Sequence, residues 1–115
     1  LAENSKILSS HFVLPEQNHN EIEGFSNNDT SNYAIIWIKD ENDNKHTLKR
    51  VDITSTLLDK VENQYIYSDK SSSLVERLFN LIYLFDWVSF YCAIYHQTNP
   101  TPVNTILKLK SLMSK

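Results

Sequence analysis

Within the stretch Leu74–Gln97, LVERLFNLIYLFDWVSFYCAIYHQ, the chain from Leu78 to Tyr95 is apolar or aromatic on nearly every side of every turn. A helix that is hydrophobic all round is either buried against more than one neighbour or set in a membrane. Its length is near the lower limit for a span. Asn80, Asp86 and Ser89 interrupt the run, however, and a central Asp costs roughly 3 kcal/mol in hydrocarbon. Tyr and Trp are also scattered through it instead of collecting at its ends. The stretch therefore reads as the central buried helix of a soluble domain. A small membrane-associated protein is the weaker alternative.

The rest of the chain supports a globular reading. Its 115 residues make one domain of ordinary size, with 41% hydrophobic and 22% charged residues. A net charge of −3 and the lack of any Lys/Arg block argue against nucleic acid as a partner. The single cysteine, Cys92, lies in the apolar helix, so no disulfide forms within one chain and a reducing compartment is expected. No signal peptide or transit segment is legible, which with the cysteine usage points to the cytoplasm. Asn28-Asp29-Thr30 fits a glycosylation pattern by chance, since nothing else suggests secretion. The sequence opens at Leu1-Ala2-Glu3 without an initiator Met, as a fragment of something longer would.

Taken in order, the chain starts with helix-forming composition that Ser9-Ser10 and the approach to Pro15 bring to an end. Pro15–Phe25 reads as a short helix opened by proline and closed by Gly24, the only glycine, in a left-handed cap. Ser26–Asn32 is a solvated loop. Tyr33–Ile38, YAIIWI, has the length and composition of a strand covered on both faces, as in a parallel sheet. Lys45–Val61 sets Leu48, Val51, Leu58 and Val61 on one stripe, with Leu57 beside it, as an amphipathic helix. Gln64–Tyr67 is a second short strand, and Val103–Met113 a last amphipathic helix. Strands alternating with helices predict an α/β fold with a parallel sheet flanked by helices. Two strands leave two open edges and too little sheet for helices this apolar. Further sheet must come from a partner chain or from another part of the same polypeptide.

Generic chemical motifs are scarce. His11, His19, His46 and His96 lack the paired spacing of a metal site, and there is no second cysteine. One glycine cannot build a phosphate loop, and no serine sits in a nucleophile elbow. Three spots remain. Glu16–Glu21 packs His19 among polar neighbours able to orient a ring nitrogen. Thr101-Pro102 reads as a cap followed by proline at the first helical position. Thr101 and Lys108 would then share a helix face about two turns apart, roughly 10 Å of rise, and flank a small ligand. Ser71-Ser72-Ser73 offers hydroxyls and helix amides to a phosphate. On spacing alone the bland readings outweigh these: a polar surface helix, a cap with a solvated lysine, and simple capping.

Read together, three blocks carry more. Glu3-Asn4-Ser5-Lys6, Leu14-Pro15-Glu16-Gln17-Asn18-His19-Asn20-Glu21-Ile22 and Asn99-Pro100-Thr101-Pro102-Val103 with Leu107-Lys108 resemble, in order, the bifunctional phosphoglucose/phosphomannose isomerases of the sugar-isomerase (SIS) superfamily. Leu81–Ser89 resembles that family's penultimate helix. The resemblance covers essentially the whole chain but only the C-terminal part of the family's polypeptide. It implies a SIS-like three-layer αβα fold, incomplete here, with residues 1–115 as the C-terminal SIS domain and the N-terminal SIS domain absent.

The resemblance also implies interconversion of glucose 6-phosphate or mannose 6-phosphate with fructose 6-phosphate through a cis-enediol, with no metal or cofactor. Glu3 matches the base that moves a proton between C2 and C1. His19 matches the residue assisting ring opening at the neighbouring subunit's site, so a homodimer is implied. Lys108 matches the lysine near the ring oxygen, and Thr101 the threonine that admits either C2 epimer. The chemistry is coherent: a carboxylate can take a proton α to a carbonyl, and an imidazole and an ammonium can stabilise the enediolate. The Ser/Thr phosphate loop and arginine of the family's first domain have no counterpart, and Ser71–Ser73 is wrongly placed to replace them. The fragment alone should therefore bind substrate poorly. A non-catalytic phosphosugar-sensing or dimerisation module is the competing reading.

Overall fold

Parallel strands cannot be joined by a tight turn; they need a crossover of a dozen or more residues. In the computed structural model, which describes residues 1–70 and 73–114, β1 (Ala34–Lys39) and β2 (Glu62–Tyr67) pair in parallel, with Ala34 opposite Glu62 and Lys39 opposite Tyr67. The crossover is α3 (Lys45–Leu57), capped by the Asn44 side chain accepting from the His46 N–H at 2.8 Å. Helices with a small parallel two-stranded sheet make this the expected α/β class. The chain divides into two compact units, one of His11–Arg77 and one of Leu1–Ser10 with Leu78–Lys115.

The core of the first of these is Trp37, Val51, Leu58 and Val61, with Leu14, Ile22, Phe25 and Ile35 packed against it. The expected stripe is present, but α3 ends at Leu57, and Leu58 and Val61 reach the core from the turn that follows. Leu57 itself is exposed. β2 begins at Glu62, ahead of the apolar QYIY run, because Asn63 is held from three sides. Its Oδ1 accepts the Trp37 indole N–H at 2.6 Å, and its Nδ2 donates to the carbonyls of Leu58 (2.9 Å) and Val61 (2.7 Å). Lys39 adds an ion pair to Asp52 of α3 at 2.6 Å.

β1 is covered on one face only, not on both. Ile35 and Trp37 face the core, whereas Ile36 and Ile38, one residue out of phase, are 37% and 52% exposed. A strand alternates its side chains, so a single helical layer buries alternate positions whatever the composition.

Pro15–Phe25 is not one helix closed by glycine. A 3-10 helix, Glu16–His19, follows a cis Leu14–Pro15 peptide. Asn20 then breaks the run and caps α2 (Glu21–Ser26), its Oδ1 accepting the Glu21 N–H at 3.0 Å. Asn competes for neighbouring backbone N–H groups, which is why it starts helices better than it continues them. Gly24 lies inside α2 and its φ is not left-handed.

The other unit contains α1 (Ala2–Ser5), most of α4 (Leu74–Tyr95) and α5 (Asn104–Met113). α4 opens with a capping box: the Ser73 N–H donates to Glu76 Oε2 at 2.7 Å and the Glu76 N–H to Ser73 Oγ at 3.3 Å. It closes in a Schellman motif around Gln97 at φ 53°, with the Thr98 N–H bonded to Ala93 O and the Gln97 N–H to Ile94 O. Its burial overturns the reading of a helix enclosed on all sides. Ser89 and Ala93 are buried and Leu81, Phe85, Val88 and Cys92 half-buried along one stripe, while Phe79, Ile82, Tyr83, Tyr91 and Ile94 are more than half exposed. A helix apolar on every side needs neighbours on every side, and only one stripe is covered. On the exposed side Trp87 stacks on Tyr91 at 5.7 Å between centroids. By length and composition α4 also qualifies as a membrane-crossing helix, with a mean hydropathy of 1.4.

Candidate functional site

A single helical turn does not hold itself together in water, so α1, which carries Glu3, depends on what it is tied to. Asn4 Nδ2 donates to Ser89 Oγ at 2.8 Å, and Ser5 Oγ donates to the Ser89 carbonyl at 2.7 Å. Ser89 Oγ donates in turn to Asp86 O at 2.8 Å. Ser5 and Ser89 are 2% and 3% exposed, so this polar knot is internal and its hydroxyls are paired. Glu3 is exposed beside it. Lys6 follows at φ 57°, ψ 25°, and its ammonium donates to the carbonyls of Glu3 (2.5 Å) and Pro100 (3.4 Å).

Thr101 lies next to that second acceptor. It is not the cap of the last helix. The Thr101 N–H donates to Asn99 Oδ1 at 3.0 Å, closing an Asx turn, and α5 begins only at Asn104 with the Leu107 N–H on Val103 O. Asn99 and Thr101 each precede a proline, which biases both away from helical backbone. Thr101 and Lys108 therefore do not share a helix face. Lys108 is an exposed residue of α5, in the same unit as Glu3 and Thr101.

His19 belongs to the other unit, as the last and exposed residue of the 3-10 helix. Its backbone is steadied by the two residues before it. Gln17 is buried, and Asn18 Nδ2 donates to Gln17 Oε1 at 2.9 Å and to Thr54 Oγ1 of α3 at 3.0 Å. Of the serine triplet, Ser71 and Ser72 lie outside the described residues, and Ser73 is engaged in capping α4. Two shallow concavities of the His11–Arg77 unit, one along Lys49, Asp52, Ile53, Thr56 and Leu57 and one around Phe25 and Leu58–Val61, include none of the four residues. Among the described residues no cluster of His, Cys, Asp and Glu is gathered as metal ligands.

The structure thus ties the Glu3 and Thr101 segments together, carries Lys108 on the same unit and holds His19 on the other. Sequence reasoning assigned no role at the site to Asn4, Ser5, Lys6 or Ser89. The available signal was Ser89, a polar residue interrupting an otherwise apolar helix. Nothing in the sequence marks the left-handed backbone of Lys6.

Comparison with known proteins agrees with this partial α/β architecture. The family described as the bacterial phospho-glucose isomerase C-terminal SIS domain matches residues 1–113. The chain belongs to that family. Two curated relatives are named bifunctional phosphoglucose/phosphomannose isomerase. One, from Caldicellulosiruptor bescii, is 39% identical over all of this chain and 35% of its own length. The other, from Aquifex aeolicus, is 35% identical over 98% of this chain and 36% of its own length. The chain spans about a third of the relatives it matches. No solved structure matches it.

Proposed function

We propose that this chain is the C-terminal SIS part of a cytoplasmic sugar-phosphate isomerase that interconverts glucose 6-phosphate or mannose 6-phosphate with fructose 6-phosphate. The observation that carries the reading is the end-to-end match to the family, together with relatives named for both isomerisations. In this reading Glu3 moves the proton between C2 and C1 through a cis-enediol. An exposed carboxylate within hydrogen-bond reach of the carbon acid suffices for this, and the Ser89 knot ties the helix that carries Glu3 to α4. Lys108 stabilises charge at the ring oxygen, Thr101 leaves room for either C2 epimer, and His19 assists ring opening at the site of a second copy in a homodimer.

The phosphate is held by residues outside this chain, so the 115-residue piece alone turns over slowly. Its exposed apolar surfaces on α4 and on the Ile36/Ile38 face are covered by protein, not lipid. Asn80 and Asp86 break the α4 run, and its aromatics are spread from Phe79 to Tyr95 instead of forming a belt at each end. The test is turnover of both aldose phosphates by the full-length protein in deuterated water. Product carrying solvent deuterium next to the carbonyl supports the enediol route. Turnover without deuterium incorporation would refute that route, and absence of turnover with either sugar, despite a thermal shift with fructose 6-phosphate, would favour the non-catalytic module.

A further inference from the structure

We propose that Lys6 is a positioning residue for the isomerisation, one whose ammonium locks the turn carrying Glu3 to the turn carrying Thr101. This inference rests on the isomerase reading above and adds a residue to it. Asn4 and Ser5 fasten the C-terminal half of α1 to Ser89. The Ser5 N–H closes the turn on the Leu1 carbonyl at 2.8 Å, but none of these bonds reaches the Asn99–Pro102 segment. Lys6 does, since the same Nζ donates to the Glu3 carbonyl and to the Pro100 carbonyl, one residue from Thr101.

Bonds from a charged donor are stronger than those between neutral groups. The backbone supports the same conclusion. Lys6 has φ 57°, a left-handed conformation that glycine or asparagine enters far more readily than lysine. From that position the Lys6 stem folds back and reaches the Glu3 carbonyl. Gln97, the other left-handed residue among those described, closes a Schellman motif through backbone bonds alone. At Lys6 the side chain itself closes the link. If base and epimer-tolerant threonine must flank one carbon, a loose joint between their turns spoils the geometry at the reacting atoms. Misplacement of about 1 Å is enough to cost on the order of a hundredfold in rate.

The substitution Lys6→Gly separates the two roles, because glycine suits the left-handed backbone and lacks the ammonium. In the full-length protein, K6G is expected to unfold at or above the parent's temperature. Its kcat should fall by about tenfold or more with KM changed less than about threefold, and K6R should recover most of kcat. Amide hydrogen exchange gives a readout independent of turnover. The Thr101 N–H should exchange severalfold faster in K6G, while the Ser5 N–H, bonded to the Leu1 carbonyl at 2.8 Å, should not. Parent-like kcat in K6G, unchanged exchange at Thr101, or a large loss of thermal stability that K6R does not repair would each overturn the proposal. An inactive parent protein would sink the isomerase reading instead, and exchange at Thr101 would still decide whether Lys6 links the two turns.

Discussion

Replacing Asn63 by alanine should cost the His11–Arg77 unit about 3 kcal/mol. Asn63 makes three side-chain hydrogen bonds: one from the Trp37 indole at 2.6 Å, and one each to the carbonyls of Leu58 and Val61 at 2.9 and 2.7 Å. Each is worth about 1 kcal/mol net, and a buried group left without a partner costs roughly 1–3 kcal/mol. Trp37, Leu58 and Val61 are all buried, so water replaces the lost partner poorly. Asn63→Asp should be nearly as damaging, since it keeps the acceptor for Trp37 but loses both donors and sets a carboxylate against two carbonyls. Trp37→Phe removes one of the three bonds, and a double-mutant cycle between the two positions should show coupling of about 1 kcal/mol. Urea denaturation followed by circular dichroism measures the parent and the four variants. A cost below about 1 kcal/mol for Asn63→Ala, or no coupling to Trp37, would refute the view that this side chain fixes the start of β2.

Two further outcomes follow from the ends of α4. Gln97→Gly should stabilise the protein by about 0.5–1 kcal/mol, because relief of the left-handed strain exceeds the extra freedom glycine gives the unfolded chain; a lower melting temperature would contradict the Schellman assignment. At the other end, the Ser73 N–H and then its hydroxyl hold the Glu76 carboxyl below its ordinary value of 4.5. In the same way the Asn42 N–H, and with it Arg77, lowers Asp40 below 3.8. Both groups are depressed in the folded state, so the unfolded chain binds more protons as the pH falls. Their contribution is complete above those ordinary values and is lost as pH drops through the folded values. Stability measured between about pH 5 and 3 should fall with acid, and less steeply in Glu76→Gln; an unchanged slope would contradict the capping box.

The parallel βαβ unit was legible because its signals are local. YAIIWI has strand length and composition, and the Leu48/Val51 stripe has helical period. Burial was less legible, because composition reports what a segment requires and not what the chain supplies. The all-apolar surface of α4 and the continuous apolar run of β1 both called for enclosure, yet each is covered along one side. Helix ends were misread where a polar side chain took a backbone N–H: Asn20 split Pro15–Phe25, and Asn99 kept Thr101 out of α5. The four residues implied by the family blocks were read from their neighbours in sequence, whereas the bonds that tie α1 to α4, from Asn4 and Ser5 to Ser89, form only through folding across more than eighty positions.

The assignment of Glu3 as the proton carrier is tested most directly by kcat of Glu3→Gln in the full-length protein, with binding of fructose 6-phosphate followed in parallel by thermal shift. Loss of the general base should lower kcat by about 10²–10⁴-fold while the ligand still stabilises the fold. Near-parental turnover by a folded, ligand-binding Glu3→Gln would place the proton transfer elsewhere and contradict the account.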